Sequence, residues 1–345
     1  MSFSNDLLAW YDRHARVLPW RIGPHDTKRG IRANPYHVWL SEVMLQQTTV
    51  AAVKAYFEKF ITIWPTVDGL AAAREEHVMA AWAGLGYYSR ARNLKACAQI
   101  VSGEFGGHFP ETAVDLRKLP GIGDYTSAAI AAIAFGEAAP VVDGNIERVV
   151  TRQTADATPL PKAKSNCTAF MVRETPKERP GDFVQAMMDL GATICTPKNP
   201  ACAICPVFEP CEARKAGTML DFPVKAPKKA KPNRKGAVFV LIRSDGFVWT
   251  VQRPHNGLLG GMAALPTTDW TARQDGATGV GSAPFEARWT DVGTVKHTFT
   301  HFHLELEVWG AKGDTPESEG RWNEPNVLPT VFRKAAQAAQ KMGGP

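Results

Sequence analysis

The chain has 345 residues, of which 40 are Lys or Arg and 34 are Asp or Glu, for a formal net charge of +6. That length favours two domains, each able to bury a core, and the mild basicity suits a polyanionic partner without requiring one. No apolar run approaches the ~20 residues of a membrane span, and the N-terminal MSFSNDLLAWYDRH has no basic segment leading into a hydrophobic stretch, so a soluble, unexported, cytoplasmic protein is expected.

From residue 5 to about 215 the pattern is helical, with Ala-rich amphipathic stretches such as Ala71 to Ala83 and Ser127 to Phe135 broken by Gly and Pro turns. Early in it, Tyr36 to Thr48 reads as a helix in which Glu42 follows Val38 by four residues and Trp39 by three, beside the apolar stripe. A carboxyl there is less solvated than on the surface, which favours its protonated form. A boundary glutamate paired to an arginine fits the same pattern.

Further on, Leu119-Pro120-Gly121-Ile122-Gly123 places an apolar anchor, a stiff Pro and two glycines in a tight turn between helices. Backbone amides at such a turn and at the next helix start can cradle a phosphate, although most such turns merely join helices. In Val141-Val142-Asp143-Gly144-Asn145-Ile146 a carboxylate stands at a helix start, where an N-cap aspartate is the plain reading.

Four of the six cysteines follow, Cys195, Cys202, Cys205 and Cys211, spaced C-x6-C-x2-C-x5-C, while Cys97 and Cys167 stand alone. The crowding suggests a metal site in a reducing compartment and not a disulfide framework. One loop could wrap a cubane iron-sulfur cluster with four thiolates. Structural zinc is the rival, although such sites usually come as two close cysteine pairs. No open coordination position is offered, so the role is structural, with Lys198 and Arg214 beside it free to meet phosphates.

Residues 218–235 read as a basic linker; Lys225 to Lys235 alone carries six basic residues and two prolines. Beyond it the period changes. Ala237 to Arg243, Phe247 to Arg253 and His303 to Trp309 are short β-branched or aromatic runs, so residues 236–345 are an α+β domain with a mixed or antiparallel sheet.

The LPGxG hairpin, the VDxN aspartate and the cysteine spacing, in this order, resemble the endonuclease III-like superfamily of helix-hairpin-helix DNA glycosylases. LPWR at 18 to 21, WLSEVMLQQT at 39 to 48, WAGLGYYSRARNL at 82 to 94 and VVDGNIERVV at 141 to 150 are similar to the MutY-type adenine glycosylases. The resemblance implies a helical glycosylase domain over 1–217, a [4Fe-4S] cluster on the four cysteines, and a monomer of the bacterial cytosol or nucleoid. It also implies an enzyme that excises adenine mispaired with 8-oxoguanine or guanine from double-stranded DNA in base excision repair. Glu42 would protonate the base and help to activate water, Asp143 would stabilise or transiently bond the sugar carbon, and Tyr125 and Asn145 would orient them. Gln47 and Tyr87 would wedge into the duplex beside the flipped base, and Leu119, Gly121 and Gly123 would hold the DNA backbone. Lyase members of the superfamily carry a lysine two residues after the second hairpin glycine, and Tyr125 stands there, so a monofunctional glycosylase is expected.

Residues 236–345 resemble the Nudix-like recognition domain of MutY-type enzymes through AVFVLIR, Gly257 to Met262 and His297 to His301. Between residues 262 and 300 the only glutamate is Glu286, too few for a magnesium-dependent pyrophosphatase. The family inspects oxidised guanine with a Phe-Ser-His loop; Phe299, Thr300 and His301 stand here, keeping the hydroxyl and adding a methyl. Ala263-Ala264-Leu265-Pro266 also departs from the usual aromatic residues, and Gly23 to Asn34 forms a basic insertion of unassigned role. The rival readings are a bifunctional glycosylase/lyase for oxidised pyrimidines, a Nudix hydrolase with an accessory helical domain, and a non-catalytic iron-sulfur protein that binds DNA or senses redox state.

Overall fold

The computed structural model describes residues 2–227, 230–254 and 257–341 and forms two compact units, Met1–Pro227 and Lys228–Pro345. The first is helical. In chain order it holds α1 (Phe3–His14), α2 (Pro24–Lys28), α3 (Pro35–Leu45), α4 (Val50–Ile63), α5 (Val67–Ala72), α6 (Glu75–Trp82) and α7 (Tyr88–Phe105). Then come α8 (Ala113–Leu116), α9 (Asp124–Ile130), α10 (Gly144–Thr154), α11 (Lys164–Glu174), α12 (Pro180–Thr193) and α13 (Glu212–Ala216). Polar caps define several starts: Ser2, Asn34, Thr49, Thr66 and Thr112 each accept a backbone N–H from the first turn that follows. None of the helices is long and apolar enough to cross a membrane among the described residues.

Three helical expectations need correction. Ala71 to Ala83 is not one helix, because Ala73 and Arg74 are extended and Glu75 and Glu76 open a new first turn, where acidic residues favour the helix N-terminus. Ser127 to Phe135 starts as α9 and widens into a π turn over Ala131–Phe135, closed by Gly136 in the left-handed region. The helix α3 is buried on nearly every side, from Val38 through Met44, so it is a core helix where a one-sided stripe was expected.

The linker is shorter than the composition implied. Lys228 and Lys229 lie outside the described residues, Met219–Asp221 is a short 3-10 turn, and Asn233 to Lys235 already belong to the first strand. That strand, β1 (Asn233–Ile242), joins β2 (Val248–Gln252), β3 (Ala263–Ala264), β4 (Thr290–Thr298), β5 (His303–Lys312) and β6 (Arg321–Asn323). The order is β3-β2-β1-β5-β4, with β6 beside β2. β1 runs parallel to β5, from Asn233 opposite His303 to Ile242 opposite Lys312, and the other pairs are antiparallel, so the sheet is mixed. The helix α14 (Thr330–Gln340) buries Val331, Phe332, Ala335, Ala336 and Ala339 in one core with Val238, Leu306 and Val308.

Candidate active site

The helical unit holds a cavity of about 870 Å³ whose walls include Glu42, Gln47, Gly121, Gly123, Tyr125, Asp143 and Asn145. Four separate segments therefore meet there: α3 and the turn after it, the hairpin, the start of α9 and the start of α10. Each side chain is held locally. Glu42 sits within the core helix at 6% exposure, and the Tyr125 hydroxyl, in the first turn of α9, donates to its Oε2 at 2.8 Å. Burial pushes the Glu42 carboxyl up to about 7, against the lowering effect of the Tyr125 hydrogen bond and of the Arg21 charge, while the Asp143 charge adds to the rise.

Asp143 is the N-cap of α10, its Oδ1 accepting from Ile146 N at 2.7 Å and its Oδ2 from Asn145 Nδ2 at 3.1 Å. Burial raises its pKa too, opposed by these N–H donors. The two carboxyls are thus set apart by their partners. Asp143 faces several fixed N–H donors at a helix N-terminus, which favour its charge, whereas Glu42 has one favourable hydroxyl donor that its burial outweighs. Arg148 Nη2 fixes Asn145 by donating to its Oδ1 at 2.9 Å and to Gly191 O at 2.6 Å. Only a glycine fits at 191, since a Cβ there would lie 2.7 Å from Asn145 Cβ.

The hairpin runs from α8 through Leu119 to Gly123 into α9. Leu119 is 4% exposed, so its side chain anchors the turn in the core and does not reach the surface. Gly121 has φ +75°, and a Cβ there would come within 2.8 Å of Asn93 Cβ. Gln47 and Tyr87 are exposed and both left-handed, at φ 57° and φ 50°. Gln47 lines the cavity, whereas Tyr87, on the turn before α7, is absent from its lining.

Other residues of the wall were given no site role from the sequence. Arg16, Trp20, Arg21, Lys164 and Gln185 line the same cavity. Arg16 and Arg21 are fixed by Asp189, which is fully buried: it accepts from Arg16 N at 2.9 Å and Nε at 2.7 Å, and from Arg21 Nη1 at 2.8 and 2.9 Å. An Asp inside the apolar run FVQAMMDLG was the available signal, because a charge there needs a partner. The insertion 23–34 packs on this unit, with Thr27 Oγ1 donating to Asp182 at 2.7 Å and Arg32 Nη1 to Phe135 O at 2.7 Å.

Cys195, Cys202, Cys205 and Cys211 line one small chamber with Val149, Arg152, Leu190 and Phe208. Arg152 clamps its rim, with Nη1 3.3 Å from Cys195 Sγ and 2.8 Å from Thr196 O. The donor set is four soft thiols in an apolar wall beside a fixed cation. Among the described residues no group of three or more His, Cys, Asp or Glu side chains is placed to hold a single metal ion.

In the second unit, Phe299 to Phe302 form the tight turn between β4 and β5, with Phe299 N donating to Phe302 O at 2.9 Å. Phe299 is half-buried, stacked on Phe302 at 4.8 Å between ring centroids, while Thr300 and His301 project at the tip.

Comparison with known proteins agrees with this geometry. Residues 40–166 match the helix-hairpin-helix "HhH-GPD superfamily base excision DNA repair protein" family, and residues 237–338 match the NUDIX domain family. A solved thermostable thymine-DNA glycosylase is similar over 62% of this chain and 95% of its own at 27% identity, with a TM-score of 0.55. An endonuclease III trapped on DNA, 22% identical with a TM-score of 0.51 over 62% of this chain and 94% of its own, shares the fold. The first unit is therefore a DNA glycosylase of that superfamily, a hydrolase of N-glycosyl bonds.

Relatives narrow the class. The adenine DNA glycosylase of Homo sapiens is 37% identical over 91% of this chain and 68% of its own. That of Buchnera aphidicola from Schizaphis graminum is 32% identical over 88% and 86%. The chain belongs to the adenine DNA glycosylase family.

Proposed function

We propose that this protein excises adenine mispaired with 8-oxoguanine or guanine in double-stranded DNA, leaving an abasic site and an uncut strand, and that it does so as a cytoplasmic monomer. The observation that carries this reading is that a buried carboxyl poised near neutrality, Glu42, shares one cavity with Asp143, whose charge is held by fixed N–H donors. Adenine leaves poorly as an anion. Its departure needs a proton on the ring and a negative charge beside the cationic sugar.

Glu42 supplies the proton, most simply from Oε1, since Oε2 is engaged by Tyr125. The C1′–N9 bond then breaks with its electron pair leaving on the base, and the Asp143 carboxylate stabilises the oxocarbenium-like sugar. Water adds to C1′ as the Glu42 carboxylate takes its proton. A base inside a duplex cannot reach this cavity, so the adenine must flip out, with Gln47 and Tyr87 filling the gap. Gly121, Gly123 and the amides that open α9 hold the backbone. Phe299, Thr300 and His301 inspect the opposite base.

The four cysteines would hold a [4Fe-4S] cluster, which when bound ties α12 to α13 and the loop between them. Four thiols lining one small apolar chamber suit such a cluster. Tyr125 stands where a lyase lysine would be, which supports the monofunctional reading. Among the described residues Lys164 is the one lysine in the cavity wall, so any imine adduct with the product should map to it.

The test is base release from duplexes carrying adenine opposite 8-oxoguanine, guanine, cytosine or thymine, with wild type and Glu42→Gln. Expected are release from the first two, no release by the variant, and strand breaks only after alkali. Equal release from all four duplexes, or breaks at stoichiometric yield without alkali, would overturn the reading.

A further inference from the structure

We propose that Arg90 is a positioning residue that couples the two turns carrying Gln47 and Tyr87, setting both side chains for insertion into a duplex before DNA arrives; this rests on the reading of those side chains as plugs. Arg90 lies in the first turn of α7. Its Nη1 donates to Val43 O at 3.1 Å and Met44 O at 3.0 Å, and its Nη2 to Thr48 Oγ1 at 3.2 Å and Leu85 O at 3.1 Å. One planar group therefore closes two different segments, residues 43 to 48 and the turn at 85 to 87.

The acceptors explain why an arginine is needed. Val43 and Met44 belong to the last turn of α3, where the regular helical bonds run out; Val43 O also accepts from Gln46 N, at a long 3.4 Å. The Leu85 carbonyl sits in a turn that no regular element serves. A guanidinium offers donors in a rigid fork and can satisfy acceptors on two sides at once, whereas an ammonium is a compact point with three. Its face is used as well, with Cζ 5.3 Å from the Trp82 ring centroid and 5.5 Å from that of Tyr87.

Each of the two segments contains one exposed side chain on a left-handed backbone, Gln47 at φ 57° and Tyr87 at φ 50°. Conformations of this kind are disfavoured for residues with a Cβ and persist only where the surroundings over-determine them. Arg90 reaches into both segments. An arginine that merely capped α3 would leave the turn at 85 to 87 free; this one makes the two strained positions interdependent.

A double-mutant cycle tests the coupling. The probe is a duplex with 2-aminopurine beside an adenine opposite 8-oxoguanine, whose fluorescence reports unstacking on binding, and the variants are Arg90→Met and Arg90→Lys in wild type and in a Gln47→Ala/Tyr87→Ala background. Arg90→Met is expected to slow extrusion about tenfold in the wild-type background and less than about twofold in the double-alanine background, because it acts through those two residues. Arg90→Lys should fall between. The pH profile of adenine release should keep its shape, and amide exchange should quicken together over 45–49 and 84–88. If Arg90→Met slows extrusion by the same factor in both backgrounds, or not at all, the coupling is refuted. If the double-alanine variant itself extrudes adenine like wild type, the plug reading fails and the coupling falls with it, a pattern distinct from the first. Should Arg90→Met not fold, the same comparison is read from Arg90→Lys.

Discussion

Glu42 owes its chemistry to a conflict between its side chain and its helix. A carboxyl on a helix buried all round is penalised when charged, and the Tyr125 hydroxyl only partly compensates. Its pKa rises from 4.5 to about 7 on folding, so the folded state binds the proton more tightly than the unfolded state. Stability is then full below the unfolded value and is lost as pH rises toward the folded one, by up to about 3 kcal/mol. Denaturation of Glu42→Gln should show the variant gaining on wild type between pH 5 and 8, and wild-type adenine release should decline above about pH 7. A variant with unchanged pH dependence would mean that Glu42 is solvated. At Asp189 the expectation is opposite in sign. Asp189→Asn removes the charge facing Arg16 and Arg21 inside the protein and should destabilise by about 3 to 5 kcal/mol in urea unfolding. Glu42 and Asp143 were legible in the sequence because each sits in a short local motif. The contacts of Arg16 and Arg21 with Asp189 were not, since they span about half the chain and no local pattern records them.

At the scale of elements, the hairpin was legible because Pro and Gly restrict a turn through local sterics alone. Gly121→Ala should lower DNA affinity measured by fluorescence anisotropy while the unfolding midpoint falls only modestly. Its backbone is left-handed, and the new methyl must displace Asn93. Affinity equal to wild type would show that the turn does not carry the phosphate. The strand β4 was missed for a physical reason. It is an edge strand whose residues are exposed or half-buried throughout, so no apolar alternation marks it. The break between α5 and α6 was also hidden, since Ala-rich sequence satisfies helix propensity on both sides of it and Ala73 departs from the helix without a breaker. The mixed character of the sheet was left open by the sequence, because strand direction is set by the path of the chain between strands.

The whole molecule consists of two units with separate cores, one helical and one built on a sheet. Calorimetry should therefore resolve two transitions, and, on the proposed iron-sulfur cluster, treatment with an iron chelator under oxidising conditions should lower the transition of the unit that contains Cys195 to Cys211 and leave the other in place. A single transition moving as a whole would show that the units unfold together. In the second unit, Phe302 is buried and stacked on Phe299, which also lies 6.1 Å from the Trp270 ring. The aromatic rings beneath the tip act as a splint. On the proposed reading, Thr300 and His301 would meet a partner base with little freedom left to surrender, and the buried Phe302 beneath them would share in the selectivity proposed for the tip. Phe302→Leu should narrow the ratio of adenine release opposite 8-oxoguanine to that opposite guanine, and an unaltered ratio would mean that the tip keeps its shape unaided.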